Sequence, residues 1–313
     1  MKIFLIKTGV FFACVFILIS IWIYFGLQWE YKNTHVYMSE YQNKIQRLDT
    51  LPSPRVIILG GSNAAFGFDS GRIADSLQCN VQNMGLHASI GLRYMLSQTA
   101  NHLKKGDILV IIPEYEQFFF EYNGSGDILT QAFLYSEKNS WKELNFKQAV
   151  NIIDGFPTME FGRRKLPKEP PHEDAWNYSA LNFNEYGDEC AHWKADSLKY
   201  PMELTQLDQD DSNSSISNYA LTDFSSKVKK LREAGYRVFI LWPSTIKGNY
   251  DLNHKSLTTL QQRLSEYGIQ FDAGPEMFLH EDSLMFDADY HVRYEGVERN
   301  TDRLIRFLKS HKD

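Results

Sequence analysis

The stretch RVIILGGS, residues 55–62, decides the fold of this chain. Its four consecutive apolar residues end in two glycines, as expected for a short strand that is buried on both faces. Two further apolar runs, residues 107–112 and 237–242, each follow a segment whose apolar residues have helical spacing. Strands that alternate with amphipathic helices predict a parallel sheet with helices on both faces. We therefore expect a three-layer α/β fold whose site lies beyond the carboxyl ends of the strands.

The N-terminus carries an uncharged apolar run from residue 8 to residue 27, preceded by Lys2 and Lys7. The run is long enough for a helix to cross a bilayer, and the lysines favour a cytoplasmic N-terminus with the rest exported. A cleaved signal peptide is the alternative, but bulky Trp29 and Tyr31 follow the run instead of small residues. The sequence thus predicts a single transmembrane anchor over residues 1–27.

The rest of the chain divides into a stalk and a globular domain. Residues 28–52 are polar and end in a proline-containing segment, which predicts a helical stalk. The globular domain is expected over residues 53–313, with an inserted aromatic-rich subdomain at about residues 117–218 that packs over one edge of the sheet. The aromatic and loop-forming landmarks of this insertion are Trp141, Trp176, Trp193 and residues 167–171 and 208–217.

The composition excludes one class of partner. The chain has 33 Lys and Arg against 39 Asp and Glu, a formal net charge of −6. Nucleic-acid surfaces need concentrated positive charge, so no nucleic-acid partner is expected.

The glycine turn places Ser62 between the first predicted strand and the helix that follows it. Ser62 is either a nucleophile presented by this turn or the cap of the helix. A dinucleotide-binding loop is a third interpretation, but the glycines lack the G-x-G-x-x-G spacing.

A histidine with two nearby acids precedes the last predicted helix, in FDADYH at residues 286–291. A serine nucleophile needs a base to take its proton, and the base needs a carboxylate to orient it. His291 fits the first role, and either Asp287 or Asp289 fits the second. We favour Asp287, because in an extended loop Asp289 would lie on the same side as His291, where a short carboxylate rarely reaches Nδ1. The alternative is that both acids cap the helix.

A metal site is a further alternative for this region. Its ligands would be His280, Glu281, Asp282, Asp287, Asp289 and His291. No ligand spacing supports such a site, so we expect neither a metal nor another cofactor.

Together these features resemble the SGNH (GDSL-like) hydrolase superfamily. The shared features are a serine in a glycine turn after the first strand, a glycine after the second, and a histidine with a nearby acid before the final helix. The likeness covers residues 53–116 and 219–313 and includes LWP at residues 241–243. The resemblance implies that Ser62 is the nucleophile and that the backbone N–H of Gly85 stabilises the oxyanion.

Three positions depart from the family pattern. Gly61 stands where the family has Asp, and Ala288 stands where the acid before the histidine is usual. Glu114 begins the segment EYEQ, which replaces the third block, Gly-x-Asn-Asp, so the asparagine that donates to the oxyanion is missing. Asn63 and Glu114 are the candidates for oxyanion or substrate contacts in its place.

The ending DADYHVRYEG, residues 287–296, resembles membrane-anchored, envelope-associated branches of the superfamily. This implies a protein of the bacterial cytoplasmic membrane whose globular domain faces the periplasm or the exterior. The expected activity is that of a serine-dependent ester hydrolase or O-acyltransferase acting on acylated cell-envelope glycan. The alternative is a non-catalytic protein of the same fold that binds glycan or a membrane acyltransferase partner.

Overall fold

The computed structural model describes residues 2–33, 35–135, 140–163, 178–194, 204–207 and 216–311. At its centre is a parallel sheet of four strands: β1 (Arg55–Gly60), β2 (Asn80–Asn83), β3 (Ile108–Ile112) and β4 (Arg237–Ile240). The strand order is β2-β1-β3-β4, with every neighbouring pair parallel. The predicted α/β fold with a parallel sheet is confirmed.

Ten α-helices and a second, two-stranded parallel sheet complete the described part of the chain. The helices are α1 (Lys2–Asn33), α2 (Glu40–Thr50), α3 (Ser62–Ala65), α4 (Ser70–Leu77), α5 (Leu92–Ala100), α6 (Gly126–Leu134), α7 (Phe146–Arg163), α8 (Asn218–Glu233), α9 (Lys247–Glu266) and α10 (Tyr294–Ser310). The second sheet pairs β5 (Thr245–Ile246) with β6 (Leu279–His280).

Alternate residues of the central strands pack into two separate cores, because successive side chains of a strand point to opposite faces. Ile57 and Leu59 belong to a core shared with α2, α5, α8 and α9. Val56 and Ile58 belong to a second core shared with α4 and α10. Helices therefore cover both faces of the sheet, which is the predicted three-layer arrangement.

The strand order places a topological switch between β1 and β3. The chain passes from β1 to β2 on one side and then returns to add β3 on the other side of β1. Helices that leave such neighbours diverge and open a crevice at the carboxyl ends of the two strands. Ser62 directly follows β1 and Glu114 closely follows β3, so both residues lie at this switch.

The N-terminal helix α1 is long and apolar enough to cross a membrane. Its candidate span, Lys2–Trp22, has a mean hydropathy of 2.4, and none of its most apolar 18-residue window is buried. A helix of this kind near the N-terminus is typical of a membrane anchor and also of a signal sequence.

The predicted stalk consists of two different parts. Helix α1 continues to Asn33, but α2 packs on the globular domain, with Tyr41, Ile45 and Leu48 in the core. Helix α2 ends at Thr50, since Leu51 precedes a proline and adopts an extended conformation. The second half of the segment is thus a structural element of the domain.

The interval at residues 117–218 contains α6 and α7 in its described part, and α6 adds Leu129 and Ala132 to the first core. Residues 178–194 lie near the carboxyl end of β2, where Asp188 accepts from the hydroxyl of Ser70 and the side chain of Asn83. Trp176 and the predicted loop at 167–171 lie outside the described residues, as does most of the loop at 208–217.

Candidate active site

Close packing explains the two glycines that precede Ser62. A Cβ on Gly60 would lie 2.6 Å from the carbonyl oxygen of Ile112, and a Cβ on Gly61 would lie 2.7 Å from Cδ of Glu114. A Cβ at position 60 would collide with backbone, whereas a Cβ at position 61 would require the side chain of Glu114 to move. The turn lets β1 end at Gly60 and α3 begin at Ser62, which places the half-buried serine at the carboxyl edge of the sheet.

His291 and Asp287 form a short hydrogen bond. Nδ1 of His291 lies 2.6 Å from Oδ1 of Asp287, and the Tyr178 hydroxyl donates to Oδ2 of the same carboxylate at 2.7 Å. Burial raises the pKa of Asp287, but the hydrogen bond and the charge of His291 outweigh it and hold that pKa below its usual value. An ionised carboxylate at this distance accepts a hydrogen bond from Nδ1–H, so Nε2 is the ring nitrogen that is left for a partner other than Asp287.

The loop before α10 brings these two side chains together by folding back on itself. The backbone N–H of Phe286 donates to the carbonyl of His291 at 2.8 Å, and the N–H of His291 donates to the carbonyl of Ala288 at 3.2 Å. Phe286 is buried and anchors the base of the loop. Asp287 therefore reaches the ring of His291 although three residues separate them.

Asp289 points away from His291. Its Oδ2 accepts from the backbone N–H of Thr205 at 3.2 Å, the hydroxyl of Thr205 at 2.8 Å and the side chain of Asn249 at 3.0 Å. Of the two acids that the sequence offers, the structure thus places Asp287 on the histidine, while Asp289 fastens the segment at 204–207 to α9.

The hydroxyl of Ser62 donates to Oε1 of Glu114 at 3.1 Å. Within the described part of the chain, no hydrogen bond joins Ser62 to His291, and Nε2 of His291 has no partner. Phe66 contacts both residues. The ring of His291 stacks on Phe66 with the centroids 3.9 Å apart, and the backbone N–H of Phe66 donates to the carbonyl of Ser62 at 2.9 Å.

The loop after β2 borders both residues. The backbone nitrogen of Ala88 lies 3.0 Å from the position of a Cβ on Gly61, directly beside the serine turn. The adjacent His87 feels the charge of His291, since burial and then that charge lower the pKa of His87 to about 4. The segment at 87–88 thus lies beside the serine turn and within the electrostatic influence of His291.

Gly85 and Asn63, the residues that the sequence suggested for oxyanion contacts, have hydrogen-bond partners inside the protein in this structure. The N–H of Gly85 already donates to Oδ1 of Asn83 at 2.9 Å, and a Cβ on Gly85 would lie 2.5 Å from the nitrogen of Ala65. The side-chain amide of Asn63 is buried and donates to the carbonyl of Ile112 at 3.1 Å. Both residues hold α3 against the sheet.

Two backbone amides at the serine turn, those of Ser62 and Ala88, have no hydrogen-bond partner among the described residues. Ala88 was not identified from sequence, because the family resemblance points to the first glycine after the second strand. The signal lies only in the fold, which brings residue 88 rather than residue 85 to the turn.

A buried Glu189–His192 pair holds the loop that carries His291. Both side chains are fully buried and hydrogen-bonded to each other, and Nε2 of His192 donates to the carbonyl of Val292 at 3.0 Å. The backbone N–H of Glu189 also donates to the carbonyl of Ala65 at 2.9 Å. This pair links the end of α3 to the residue that follows His291.

The described part of the chain contains no group of three or more His, Cys, Asp or Glu residues arranged to hold a metal ion. His280, one of the residues considered above, instead shares a hydrogen bond with Asn300 at 2.8 Å. Comparison with known proteins assigns no family: no family model matches this chain, and no curated protein does. What is established is a parallel α/β protein with a four-stranded sheet and an apolar N-terminal helix.

Proposed function

We propose that this protein is a serine-dependent ester hydrolase or O-acyltransferase that acts on acylated cell-envelope glycan. The observation that carries the proposal is the Asp287–His291 pair, whose Nε2 is unpartnered within the described chain and whose ring stacks on Phe66, four residues after Ser62. An acid that orients a histidine beside a serine hydroxyl is the arrangement that activates a hydroxyl nucleophile.

The residues have distinct roles in this proposal. Rotation about χ1 turns the hydroxyl of Ser62 from Glu114 towards His291, which accepts its proton as Oγ attacks the acyl carbonyl. Asp287 fixes the ring and stabilises its charged form. The amides of Ser62 and Ala88 donate to the oxyanion. The acyl group on Ser62 is then released to water or to a sugar hydroxyl.

The substrate class rests on the N-terminal helix and on the family resemblance. Lys2 and Lys7 precede the apolar run of α1, which favours export of the globular domain. A domain at the outer face of a bacterial membrane has O-acylated envelope glycans within reach. The ending at residues 287–296 resembles envelope-associated members of the SGNH superfamily, which supports the same class.

A second candidate function is that of a non-catalytic binding protein with the same fold, for glycan or for a membrane acyltransferase. One observation favours it: the hydroxyl of Ser62 is bonded to Glu114 rather than to His291. Fold alone does not separate the two functions.

Covalent labelling with a fluorophosphonate separates them. The full-length chain in detergent is treated with the probe, and labelling of the wild type is compared with that of Ser62→Ala and His291→Asn. We expect rapid labelling of the wild type, none of Ser62→Ala, and at least about 10²-fold slower labelling of His291→Asn. The matched controls are Ser76→Ala, at an exposed serine of α4, and His254→Asn, at an exposed histidine of α9.

Both controls should label at the wild-type rate. A wild-type protein that is folded but does not label would contradict the enzyme proposal and favour the binding protein. Labelling that persists in Ser62→Ala would also contradict it. A positive result is followed by release of acetate from acetylated oligosaccharides, with and without a sugar acceptor, to distinguish hydrolysis from transfer.

A further inference from the structure

Glu114 is held directly against the proposed nucleophile. Its Oε1 accepts from the hydroxyl of Ser62 at 3.1 Å and from the backbone N–H of Asn63 at 2.9 Å. The residue is 3% exposed, so its carboxyl group is nearly removed from water although it faces the site. A carboxyl this close to Oγ is also within reach of an oxyanion formed on an acyl group attached there.

The carboxyl group of Glu114 occupies the space that a side chain at position 61 would need. A Cβ on Gly61 would lie 2.7 Å from Cδ of Glu114 and 3.0 Å from the nitrogen of Ala88. In the pattern that the sequence resembles, residue 61 is an aspartate and the segment after the third strand supplies an asparagine. This chain has glycine at the first position and a glutamate at the second, and the two changes fit each other sterically.

The surroundings of Glu114 keep a proton on it. Glu116 and Asp289 place negative charge nearby, while the hydroxyls of Tyr37 and Tyr290 donate to the carbonyl of Leu86 and to Glu116, respectively. Burial and then the charge of Glu116 raise the pKa of Glu114 to about 8, against the opposing hydrogen bonds from its partners. A carboxylic acid that stays neutral near pH 7 can donate a hydrogen bond that a carboxylate cannot.

We propose that Glu114 acts as a neutral carboxylic acid that donates a hydrogen bond to the oxyanion, in place of the asparagine that this chain lacks. The proposal rests on the proposed function. Oγ of Ser62 bonds to the acyl carbon, the carbonyl π pair moves to its oxygen, and the hydroxyl proton passes to Nε2 of His291. Glu114 shares its proton with that oxygen without losing it. When the pair returns, the bond between the acyl carbon and the alcohol oxygen breaks, and the leaving alcohol oxygen takes the proton from His291.

The test is the pH dependence of fluorophosphonate labelling of the full-length chain, since the phosphoryl oxygen of the probe occupies the oxyanion position. Wild type is compared with Glu114→Gln, which keeps the shape and an N–H donor but does not titrate. We expect the wild-type rate to fall above a pH of about 8 and the Glu114→Gln rate to stay level there. Glu114→Ala should label about 10²–10³-fold more slowly than the wild type at pH 7, where Glu114 is neutral.

One further variant sharpens the comparison. Glu116→Gln removes a neighbouring negative charge but leaves Ser62 untouched, because the partners of Glu116 are Tyr290 and Thr205. Its labelling rate at neutral pH should stay near that of the wild type, and the alkaline decrease in its rate should move to lower pH.

Lys44 is another group that could cause such a decrease, since burial lowers its pKa to about 8. Glu114→Gln leaves Lys44 unchanged, so a level profile in this variant assigns the decrease to Glu114.

A Glu114→Gln protein as slow as Glu114→Ala would overturn the proposal, as would wild-type and Glu114→Gln profiles of the same shape. The pH comparison needs only the isosteric variant, so it stands even when Glu114→Ala does not fold. Failure of the proposed function is a different result: it is the absence of labelling in the wild type, or labelling that does not depend on Ser62.

Discussion

The carboxylate of Asp287 lies 2.6 Å from Nδ1 of His291, in a loop that folds back through a backbone hydrogen bond between Phe286 and His291. Tyr178 holds the second oxygen of this carboxylate from a different part of the chain. The orientation of the histidine therefore depends both on the local loop and on the interval inserted after β3.

The first prediction separates the two acids of the loop. Asp287→Asn should slow fluorophosphonate labelling by about 10²-fold or more, because an amide no longer stabilises the charged ring. Asp289→Asn should instead lower the free energy of unfolding by about 1–3 kcal/mol, since Oδ2 of Asp289 accepts three hydrogen bonds. Labelling rates and thermal unfolding are measured on both. Equal loss of labelling, or loss only for Asp289→Asn, would show that the assignment is wrong.

The second prediction concerns the contact between Gly61 and Glu114. Gly61→Ala should lower the free energy of unfolding by about 1–3 kcal/mol, because the added methyl collides with the carboxyl group. In a Glu114→Ala background the same change should cost at least about 0.5 kcal/mol less. Gly248→Ala is the matched control, since a Cβ there meets only a side chain of Leu204, at 3.4 Å. Additive effects of Gly61→Ala and Glu114→Ala would contradict the steric coupling.

The third prediction follows from the raised pKa of Glu114, about 8 in the folded protein. The unfolded chain releases this proton near the ordinary value of 4.5, so between the two pH values the folded state binds more protons. The stability of the wild type should therefore decrease as the pH rises towards 8, and that of Glu114→Gln should decrease less. Melting temperatures at pH 5.5 and 8.5 test this. The melting temperature of Glu114→Gln minus that of the wild type should increase from pH 5.5 to pH 8.5. Equal changes in the two melting temperatures would exclude a titrating Glu114.

The fourth prediction concerns orientation and anchoring. A reporter enzyme that is active only after export, fused after Asp313, should be active in a bacterial host, because Lys2 and Lys7 favour a cytoplasmic N-terminus. The full-length mass should persist in the membrane fraction. Changing both lysines to glutamate should reduce reporter activity. A soluble, shortened product would identify α1 as a signal sequence instead.

The fold could be predicted from the sequence, because the strands are recognisable from short runs of consecutive apolar residues. The run at residues 55–60 is apolar at every position between its ends, and the strand formed there is buried throughout. The amphipathic spacing of Leu221, Phe224 and Val228 likewise appears as the buried face of α8. Burial and backbone periodicity are properties of a few consecutive residues, so they can be read before any tertiary contact is known.

The candidate site was only partly accessible in this way. The glycine turn and the acid–histidine loop are local signals, so Ser62, Asp287 and His291 could be selected from sequence. The burial of Ile45 and Leu48 in the second half of the predicted stalk could not be read from the sequence, because the helix itself does not reveal which surface covers it. The oxyanion assignment to Gly85 likewise depended on a resemblance, whereas its amide is taken by Asn83.

By itself, then, the sequence determined a parallel α/β sheet, an apolar N-terminal helix and the residue types at two sheet-edge loops. Only the tertiary structure decided which of these residues meet. It put the hydroxyl of Ser62 on Glu114, the ring of His291 on Phe66 and the nitrogen of Ala88 beside Gly61. These contacts join segments that are far apart in the chain, and their distances depend on how helices and strands pack in three dimensions. Local propensity carries no information about such packing, so no pattern of consecutive residues could have predicted it.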